Sequence, residues 1–230
     1  MHRRVPPLAV LAAGYLAGSI PFSNLFARRT RDVDLRTVGS GTVSGTSLYA
    51  VAGFGPLAVA GVLEVGKGAV GPLLAGRDRP GLAAAAGGAA VVGHNWSPFL
   101  RGAGGRGISP AIGALLPHAW PGSVALLAGL AVGRLARETG LGSFVADLAL
   151  VPLLARTRGP EGALAGGAVV VPLIAKRLTG NGLPAERPPG LFRNRLLYDR
   201  DQHAGPEREQ RSAACPLGAS SAGRAGERRK

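Results

Sequence analysis

The sequence predicts an all-α, polytopic helical membrane protein with five to seven transmembrane helices. Of its 230 residues, 46% are hydrophobic and only 17% are charged, a balance that does not suit a soluble fold. Uncharged runs cover residues 5–27, 37–63, 81–100 and 107–133, and each reaches the ~20 residues that a helix needs to cross a bilayer. Because these runs are rich in Ala and Gly, contacts between small residues are expected to join the helices.

The first apolar segment, residues 6–27, is predicted to be a transmembrane helix rather than a cleaved signal peptide. Arg3 and Arg4 precede it, as in a signal peptide, but its end carries the polar run SIPFSN instead of a small-residue cleavage site. The basic run RRTR at residues 28–31 follows and is typical of the cytoplasmic side of a membrane. The N-terminus is therefore expected outside.

Two further segments, residues 48–75 and 82–99, follow the first cytoplasmic loop. Glu64 and Lys67 lie three residues apart inside the earlier of these segments. One helical turn could pair their charges, which lowers the cost of placing them at membrane depth. The chain is then expected to return to the cytoplasm after residue 99.

The membrane segments that follow are less regular. Residues 108–132 contain Pro117 and Pro121, so this stretch forms either one kinked span or two short helices around a turn. Apolar stretches at residues 141–155 and 163–175 complete the set. With seven spans, the N-terminus lies outside and the C-terminus lies in the cytoplasm.

The composition changes near residue 184, where Pro, Arg, Glu, Gly and Ser replace the apolar residues. Residues 1–183 are therefore predicted to form a transmembrane domain, and residues 184–230 a basic, disordered cytoplasmic tail. The single cysteine, Cys215, lies in this tail and excludes an intramolecular disulfide or a cysteine-based metal site.

The net charge of +14 suggests a nucleic-acid-binding protein until the charges are located. Of the 27 Lys and Arg residues, 12 lie in residues 176–230, and most of the others lie in short loops between apolar runs. The positive-inside bias and the attraction to anionic lipids explain this distribution. The expected partners therefore include membrane lipids and no nucleic acid.

Two glycine-rich loops are predicted on the cytoplasmic side. The first loop, residues 38–46, reads VGSGTVSGT, and the second loop, residues 101–107, reads RGAGGRG. Glycines expose backbone N–H groups to a ligand, and hydroxyl and guanidinium groups suit phosphate oxygens, but the spacing of a nucleotide P-loop is absent. The loops are either anion-binding sites or flexible basic connectors. Two of them on one face, with His94 nearby, favour a site for a phosphate head on an apolar body.

Six motifs, in chain order, carry a resemblance to a known family: GYLAGSIPFSNLFAR, VGSGTVSGT, EVGKGAV, GHNWSPFLRGAGGRG, RETGLGSFVADLALVPLL and AKRLTGNG. The chain resembles, over about residues 13–182, the bacterial membrane glycerol-3-phosphate acyltransferases that take their acyl group from acyl phosphate. The resemblance implies a multi-pass enzyme of the bacterial inner membrane that makes 1-acyl-glycerol-3-phosphate (lysophosphatidate) and phosphate, the first step of phospholipid biosynthesis. It implies no cofactor and no metal.

The loops and the resemblance together identify the expected site residues. His94 and Ser143 are expected to be catalytic, although His94 could be a plain interfacial histidine and Ser143 could merely cap a helix. The residues expected to bind the substrate phosphates are Gly39, Ser40, Gly41, Thr42, Gly45, Thr46, Lys67, Gly104, Gly105, Arg106, Gly107 and Arg137.

The sequence departs from the pattern of this family at several positions. Two asparagines of the first loop are replaced by Thr42 and Ser47, and a lysine of the second loop by Ala103. In the last span, the places of a usual His and Asn hold Val171 and Ile174. These departures keep open an alternative function, namely a catalytically impaired paralogue that binds or moves a phosphorylated lipid or metabolite.

Overall fold

The computed structural model describes residues 5–39, 41–182 and 189–199. Every regular element within these ranges is helical, which confirms the predicted all-α class. Short 3-10 turns, Leu35–Thr37 and Pro98–Leu100, lie beside the two glycine-rich loops. The α-helices are α1 (Pro7–Ser19), α2 (Phe22–Arg31), α3 (Gly45–Ala52), α4 (Phe54–Ala75), α5 (Pro80–Asn95), α6 (Ile108–Leu115), α7 (Trp120–Leu135), α8 (Thr139–Thr179) and α9 (Leu191–Tyr198).

Three stretches in the described part of the chain are long and apolar enough to cross a membrane. They are Pro7–Arg31, which contains α1 and α2, then Phe54–Ala75 and Thr139–Thr179. The irregular segment at residues 108–132 forms two helices, α6 and α7, around a turn, so the second of the two predicted alternatives is correct. The number of spans stays a prediction.

The longest helix, α8, is a helical hairpin. Its backbone leaves the helical region at Gly159, where φ is 66° and ψ is −156°. A straight helix would separate Asp147 from Arg177 by ~45 Å, at 1.5 Å per residue. Their side chains instead form an ion pair with 3.3 Å between Oδ2 and Nε. The two arms, residues 139–158 and 160–179, are therefore antiparallel, and each has the length of one span.

Helices approach each other closely at positions that lack a side chain. Gly18 of α1 lies against the backbone of Ala90 in α5, and Gly113 of α6 lies against the backbone of Val65 in α4. A Cβ atom on either glycine would overlap a carbonyl group of the neighbouring helix. This packing supports the predicted role of small residues in joining the helices.

Two glycines of α4 allow a matched test of this packing. A Cβ at Gly68 would overlap the backbone of Pro110, which cannot yield like a flexible side chain, whereas a Cβ at Gly61 would meet nothing within 4 Å. We expect Gly68→Ala to lower the free energy of unfolding by about 1–3 kcal/mol through overpacking. Gly61→Ala should be neutral or stabilising by up to about 1 kcal/mol, because alanine favours a helix.

Thermal unfolding of both variants in the same detergent would check this expectation. Equal midpoints for Gly68→Ala and Gly61→Ala would show that the contact between α4 and α6 is looser than the structure indicates.

One end of the bundle gathers both glycine-rich loops. The Val43 amide of the first loop donates to the Gly104 carbonyl oxygen of the second at 3.2 Å. At the opposite end, the Arg79 guanidinium, just before α5, donates to the Val5 carbonyl oxygen at 2.8 Å. Helix α1 therefore begins at the end opposite to the loops. The end that contains both loops is the polar end of the bundle.

Helix α9 differs from the predicted disorder of residues 184–230. Leu191 is buried, and the Arg195 guanidinium donates at 3.0 Å to the carbonyl oxygens of Leu178 and Thr179 at the end of α8. These carbonyls have no partner within their own helix, so an arginine on the next helix can satisfy them. The prediction of disorder is wrong for Leu191–Tyr198 because it rested on composition. Residues 183–188 and 200–230 lie outside the described residues.

Candidate active site at the polar end

A buried cluster of charged side chains joins α4 to the end of α5. Glu64 Oε2 lies 2.6 Å from Lys67 Nζ and 3.2 Å from His94 Nδ1. Glu64 and Lys67 face the same way because they lie three residues apart on one helix. All three residues are less than 9% exposed. The carboxylate therefore compensates the lysine charge and holds one nitrogen of the imidazole ring.

The break between α1 and α2 supplies further partners to this cluster. The Ser23 amide and hydroxyl both donate to Glu64 Oε1, at 3.1 and 3.2 Å. Lys67 Nζ donates to the Ile20 carbonyl oxygen at 2.5 Å. Pro21 interrupts the helix, so nearby backbone N–H and C=O groups lack helical partners and can bind charged side chains. A proline kink in the first membrane segment thus helps to satisfy a buried ion pair.

The second loop lies directly over His94. The Gly105 amide donates to the His94 carbonyl oxygen at 3.3 Å. A Cβ on Gly105 would collide with His94 Nε2 and with the Val43 carbonyl oxygen, and one on Gly104 would collide with the backbone of residues 94 and 95. Only glycine fits at these two positions. The backbone of the second loop therefore lies against the imidazole edge that does not face Glu64.

Asn181 connects the two loops to the end of α8. Its Oδ1 accepts from the Gly104 amide at 3.1 Å and from Lys176 Nζ at 2.8 Å. Its Nδ2 donates to the Gly41 carbonyl oxygen at 2.9 Å and to the Gly104 carbonyl oxygen at 3.3 Å. One amide side chain thus binds the first loop, the second loop and a buried lysine together.

Arg106 of the second loop pairs with the residue that follows α9. Its Nη1 lies 2.6 Å from Asp199 Oδ1, and Nη2 donates to the Asp199 carbonyl oxygen at 3.5 Å. The Arg106 side chain is 20% exposed. Its guanidinium therefore already holds a carboxylate, the kind of oxygen anion that arginine binds in the same way as phosphate.

The approach to the first loop is held by α2 and by a local ion pair. Asn24 Oδ1 accepts from the Leu35 amide at 2.8 Å. Arg36 Nη2 lies 2.6 Å from Asp34 Oδ2, and hydrogen bonding from Arg36 lowers the pKa of Asp34 to about 2. Asp34 is therefore ionised at neutral pH and retains Arg36 as its partner.

A second buried cluster links α8 to α9. Arg177 Nη2 donates to Ser143 Oγ at 2.6 Å, and Arg177 Nε donates to Asp147 Oδ2 at 3.3 Å. The Ser143 hydroxyl also lies within hydrogen-bond distance of the Thr139 carbonyl oxygen, at 2.8 Å. Arg177 Nη1 reaches the Leu196 carbonyl oxygen of α9 at 3.3 Å. Ser143 thus belongs to this arginine-centred cluster, and not to the one around His94.

Comparison with known proteins decides the family. The family model described as glycerol-3-phosphate acyltransferase matches residues 8–181, which is most of the chain. This chain belongs to the glycerol-3-phosphate acyltransferase family.

Individual relatives agree with this assignment. The glycerol-3-phosphate acyltransferase of Synechococcus sp. (strain CC9902) is 38% identical over 170 residues, which cover 73% of this chain and 84% of the relative. That of Myxococcus xanthus (strain DK1622) is 41% identical over 155 residues, which cover 65% of this chain and 80% of the relative. The predicted family is therefore confirmed.

A solved structure shares the fold. The crystal structure of PlsY, an integral membrane glycerol 3-phosphate acyltransferase, in its glycerol 3-phosphate form superposes with a TM-score of 0.70 at 24% identity. The match covers 88% of this chain and 97% of that chain. With the apolar helices described above, this likeness establishes a helical membrane protein.

The expected phosphate-binding residues of this family member fall into two groups. Gly39 and Gly41 have positive φ, Thr42 is buried in the first loop, and Gly45 begins α3. The glycines and arginine of the second loop lie at the polar end with them, and Gly107 caps α6 with a φ of 79°. Thr46 and Arg137 are exposed, and neither side chain contacts the second loop among the described residues. Ser40 lies outside the described residues.

Val171 and Ile174, the two departures from the family pattern in the last span, are more exposed than the neighbouring Lys176. Val171 is 69% exposed on the outside of α8, and Ile174 is half-buried. Lys176, two residues further along the same helix, is 1% exposed. Val171 and Ile174 offer no polar group, so other residues must supply the polar contacts at this end of α8.

Sequence reasoning missed several buried polar residues of the polar end. The signal available was a charge within an apolar helix, which is rare unless the residue is paired or functional. A charge within an apolar helix occurs at Asp147, and again at the neighbouring residues Lys176 and Arg177. Ser23 and Asn181 carry no such signal, since each is a common polar residue in a stretch that also reads as a helix end or a turn.

The described residues offer no metal site, and their cavity lies away from the His94 cluster. No group of three His, Cys, Asp or Glu side chains there is arranged to hold a metal ion. A cavity of about 210 Å³, bordered by His118, Arg158 and Glu161, lies at the end opposite to the loops. This cavity is not part of the cluster around His94.

Proposed function

We propose that this protein transfers an acyl group from acyl phosphate to glycerol 3-phosphate, giving 1-acyl-glycerol-3-phosphate and inorganic phosphate. The observation that carries the proposal is the buried pair of Glu64 and His94 beneath the glycine-rich second loop. Membership of the glycerol-3-phosphate acyltransferase family supports the substrate class. The donor, acyl phosphate, follows from the resemblance of the six sequence motifs.

The proposed reaction forms one C–O bond, breaks another and transfers the hydroxyl proton. The hydroxyl oxygen of glycerol 3-phosphate attacks the acyl carbon, the bond from that carbon to the phosphate oxygen breaks, and inorganic phosphate leaves. His94 accepts the hydroxyl proton on Nε2, because Nδ1 faces the Glu64 carboxylate and keeps its proton there. The proton then passes from His94 to the departing phosphate, which leaves as hydrogen phosphate and restores the neutral imidazole.

Cationic and backbone groups of the polar end are proposed to hold the two phosphate groups. Backbone N–H groups of the first and second loops and the guanidinium of Arg106 suit the oxygens of a phosphate. The carboxylate of Asp199 occupies Arg106 in the way that a substrate phosphate would. Holding both substrates on one face of the bundle converts a bimolecular attack into a positioned one.

Ser143 has a more indirect proposed role. Its hydroxyl oxygen accepts from Arg177 at 2.6 Å, and Arg177 in turn connects the hairpin α8 to α9. We therefore propose that Ser143 positions Arg177 rather than attacking the substrate. Arg137 and Thr46 stay proposed phosphate ligands that would have to turn toward the site from exposed positions.

The proposed location is the bacterial inner membrane, with the polar end in the cytoplasm. The basic run at residues 28–31, Arg101 and Arg134 all belong to this end or to loops beside it, and such residues favour the cytoplasmic side. Acyl phosphate carries a long apolar chain and a charged head, so a site at the membrane surface can receive both parts. The product would then stay in the bilayer as a phospholipid precursor.

The direct test is turnover by purified protein in detergent or vesicles. Acyl phosphate and glycerol 3-phosphate are supplied together, and lysophosphatidate and inorganic phosphate are measured, with vesicles lacking the protein as the control. We expect equal amounts of both products. No turnover above the control would contradict the proposal and favour the catalytically impaired paralogue, a reading that the apolar Val171 and Ile174 support.

A variant of Arg106 tests the phosphate-binding part of the proposal. Arg106→Ala removes a charge-assisted contact worth ~1.5–3 kcal/mol, so kcat/KM should fall roughly tenfold to a hundredfold. Arg106→Lys should recover part of this loss, because it restores the charge without the forked geometry. Varying each substrate separately identifies which phosphate loses affinity.

Arg101, at the start of the same loop, provides the matched control. It is exposed, and its backbone has a φ of 56°, in the left-handed region. Arg101→Ala should change kcat/KM little at unchanged membrane yield. Equal, small effects of Arg106→Ala and Arg101→Ala would mean that the second loop is only a basic connector.

A further inference from the structure

Lys176 is a buried cation without a counter-charge in the described part of the chain. It is 1% exposed, and its Nζ donates to Asn181 Oδ1 at 2.8 Å. It also lies 5.2 Å from the centre of the Trp96 ring. Among the described residues no carboxylate comes within ion-pair distance of it. An ammonium group has three N–H donors, so this contact leaves donors available.

Lys67 provides the comparison within the same molecule. It is similarly buried, but Glu64 lies 2.6 Å away and Ile20 accepts a further hydrogen bond. Burying a charge is costly unless it is paired and hydrogen-bonded. Within the described ranges, Lys67 meets this requirement and Lys176 does not. A bound anion would supply the missing charge.

The surroundings of Lys176 suit a phosphate. Its ammonium shares the Asn181 Oδ1 acceptor with the Gly104 amide, and Arg106 lies two residues after Gly104 in the same loop. The backbone of the second loop therefore lies beside the Lys176 ammonium. A cation, a guanidinium and a glycine-rich backbone thus converge at one place.

Asn181 determines where the Lys176 ammonium lies. It follows Gly180, whose φ of 60° ends α8 and turns the chain back over the helix end. The amide then contacts Lys176, Gly41 and Gly104 at once. Loss of this side chain would release the lysine and both loops together.

We propose that Lys176 binds a phosphate group of a substrate and that Asn181 is the positioning residue that holds Lys176 and the two loops around it. The inference rests on the proposed acyl transfer, because that reaction supplies two phosphate-bearing substrates. Neither residue belongs to the site expected from the sequence. The phosphate comes from glycerol 3-phosphate or from acyl phosphate, and the experiment separates these sources.

The test uses the full chain purified in detergent and compares Lys176→Met, Lys176→Arg and Arg134→Met. Methionine keeps the length of the side chain and removes the charge, arginine keeps the charge, and Arg134 is an exposed cation at the end of α7. Thermal unfolding is followed with no ligand, with inorganic phosphate and with glycerol 3-phosphate. Steady-state kinetics with each substrate varied in turn follow.

We expect phosphate and glycerol 3-phosphate to raise the unfolding midpoint of the wild type and of Arg134→Met, and not that of Lys176→Met. Without ligand, Lys176→Met should be at least as stable as the wild type, because a buried unpaired charge is removed. Its KM should rise about tenfold or more for the substrate whose phosphate Lys176 binds. Lys176→Arg should retain part of the affinity.

Asn181→Ala tests the positioning role. KM should rise for both substrates, since both loops are released, while Lys176 keeps its charge. A normal KM in this variant would overturn the role of Asn181.

A ligand-induced shift of Lys176→Met equal to that of the wild type would overturn the assignment of Lys176. So would a loss of ligand-free stability without any change in KM, because that pattern marks a purely structural lysine. Phosphate-dependent stabilisation that disappears in Lys176→Met, in a protein without turnover, would support the phosphate site and contradict only the acyl transfer.

Discussion

Replacement of His94 by alanine should lower kcat for acyl transfer by roughly 10²–10⁴-fold, the usual contribution of a positioned general base. We expect the lower half of this range, because acyl phosphate already carries a good leaving group. The physical reason is the orientation of the ring: Nδ1 lies 3.2 Å from Glu64 Oε2, so Nε2 is the nitrogen that can accept a proton. The rate of phosphate release at saturating substrate measures the effect.

His118 supplies the control for this experiment. It lies at the opposite end of the bundle, where Nε2 is 3.1 Å from the Pro72 carbonyl oxygen. His118→Ala should leave kcat close to that of the wild type. If His94→Ala retained full kcat, or if both variants lost activity equally, His94 would be an interfacial histidine without a role in proton transfer.

Replacement of Glu64 by alanine should have the largest effect on stability. It would leave the buried ammonium of Lys67 without its partner at 2.6 Å, and the Ser23 amide without its acceptor at 3.1 Å. Breaking a buried ion pair from one side typically costs about 3–5 kcal/mol. We therefore expect a strongly reduced membrane yield and a much lower unfolding midpoint in detergent.

Two further variants separate charge from packing in this cluster. Glu161→Ala removes an exposed glutamate and should leave the unfolding midpoint nearly unchanged. The double variant Glu64→Met with Lys67→Met removes both charges and should regain much of the stability. The kcat of the double variant should remain low, because His94 has lost the carboxylate that orients its ring. A Glu64→Ala protein as stable as the wild type would mean that the cluster is hydrated rather than buried.

Much of the fold could be predicted from the sequence because it depends on segment length and charge. The uncharged runs located the apolar helices, and the prolines near residue 117 indicated the turn between α6 and α7. The pairing of Glu64 with Lys67 followed from their spacing on one helix. Composition failed at α9, since the contacts of Arg195 with the end of α8 leave no trace in the local sequence.

The site was predictable in part for the same reason. The glycines of both loops can be recognised in the sequence. The position of both loops at the polar end agrees with the predicted topology. Their glycines also have specific neighbours, however: Gly105 is needed because the His94 ring and the Val43 carbonyl oxygen lie against it. A motif can indicate that a glycine is needed, but only the neighbouring residues explain why.

By itself, the sequence determined that the chain is helical, that it enters a membrane, which family it resembles and where its two glycine-rich loops lie. These properties depend on local length, hydrophobicity and charge, which can be read along the chain. Only the tertiary structure decided that α8 folds back at Gly159 and that Asn181 contacts Gly41, 140 residues away. Such contacts depend on how the helices pack. A buried charge has many possible partners along the chain, and sequence spacing does not show which of them it contacts.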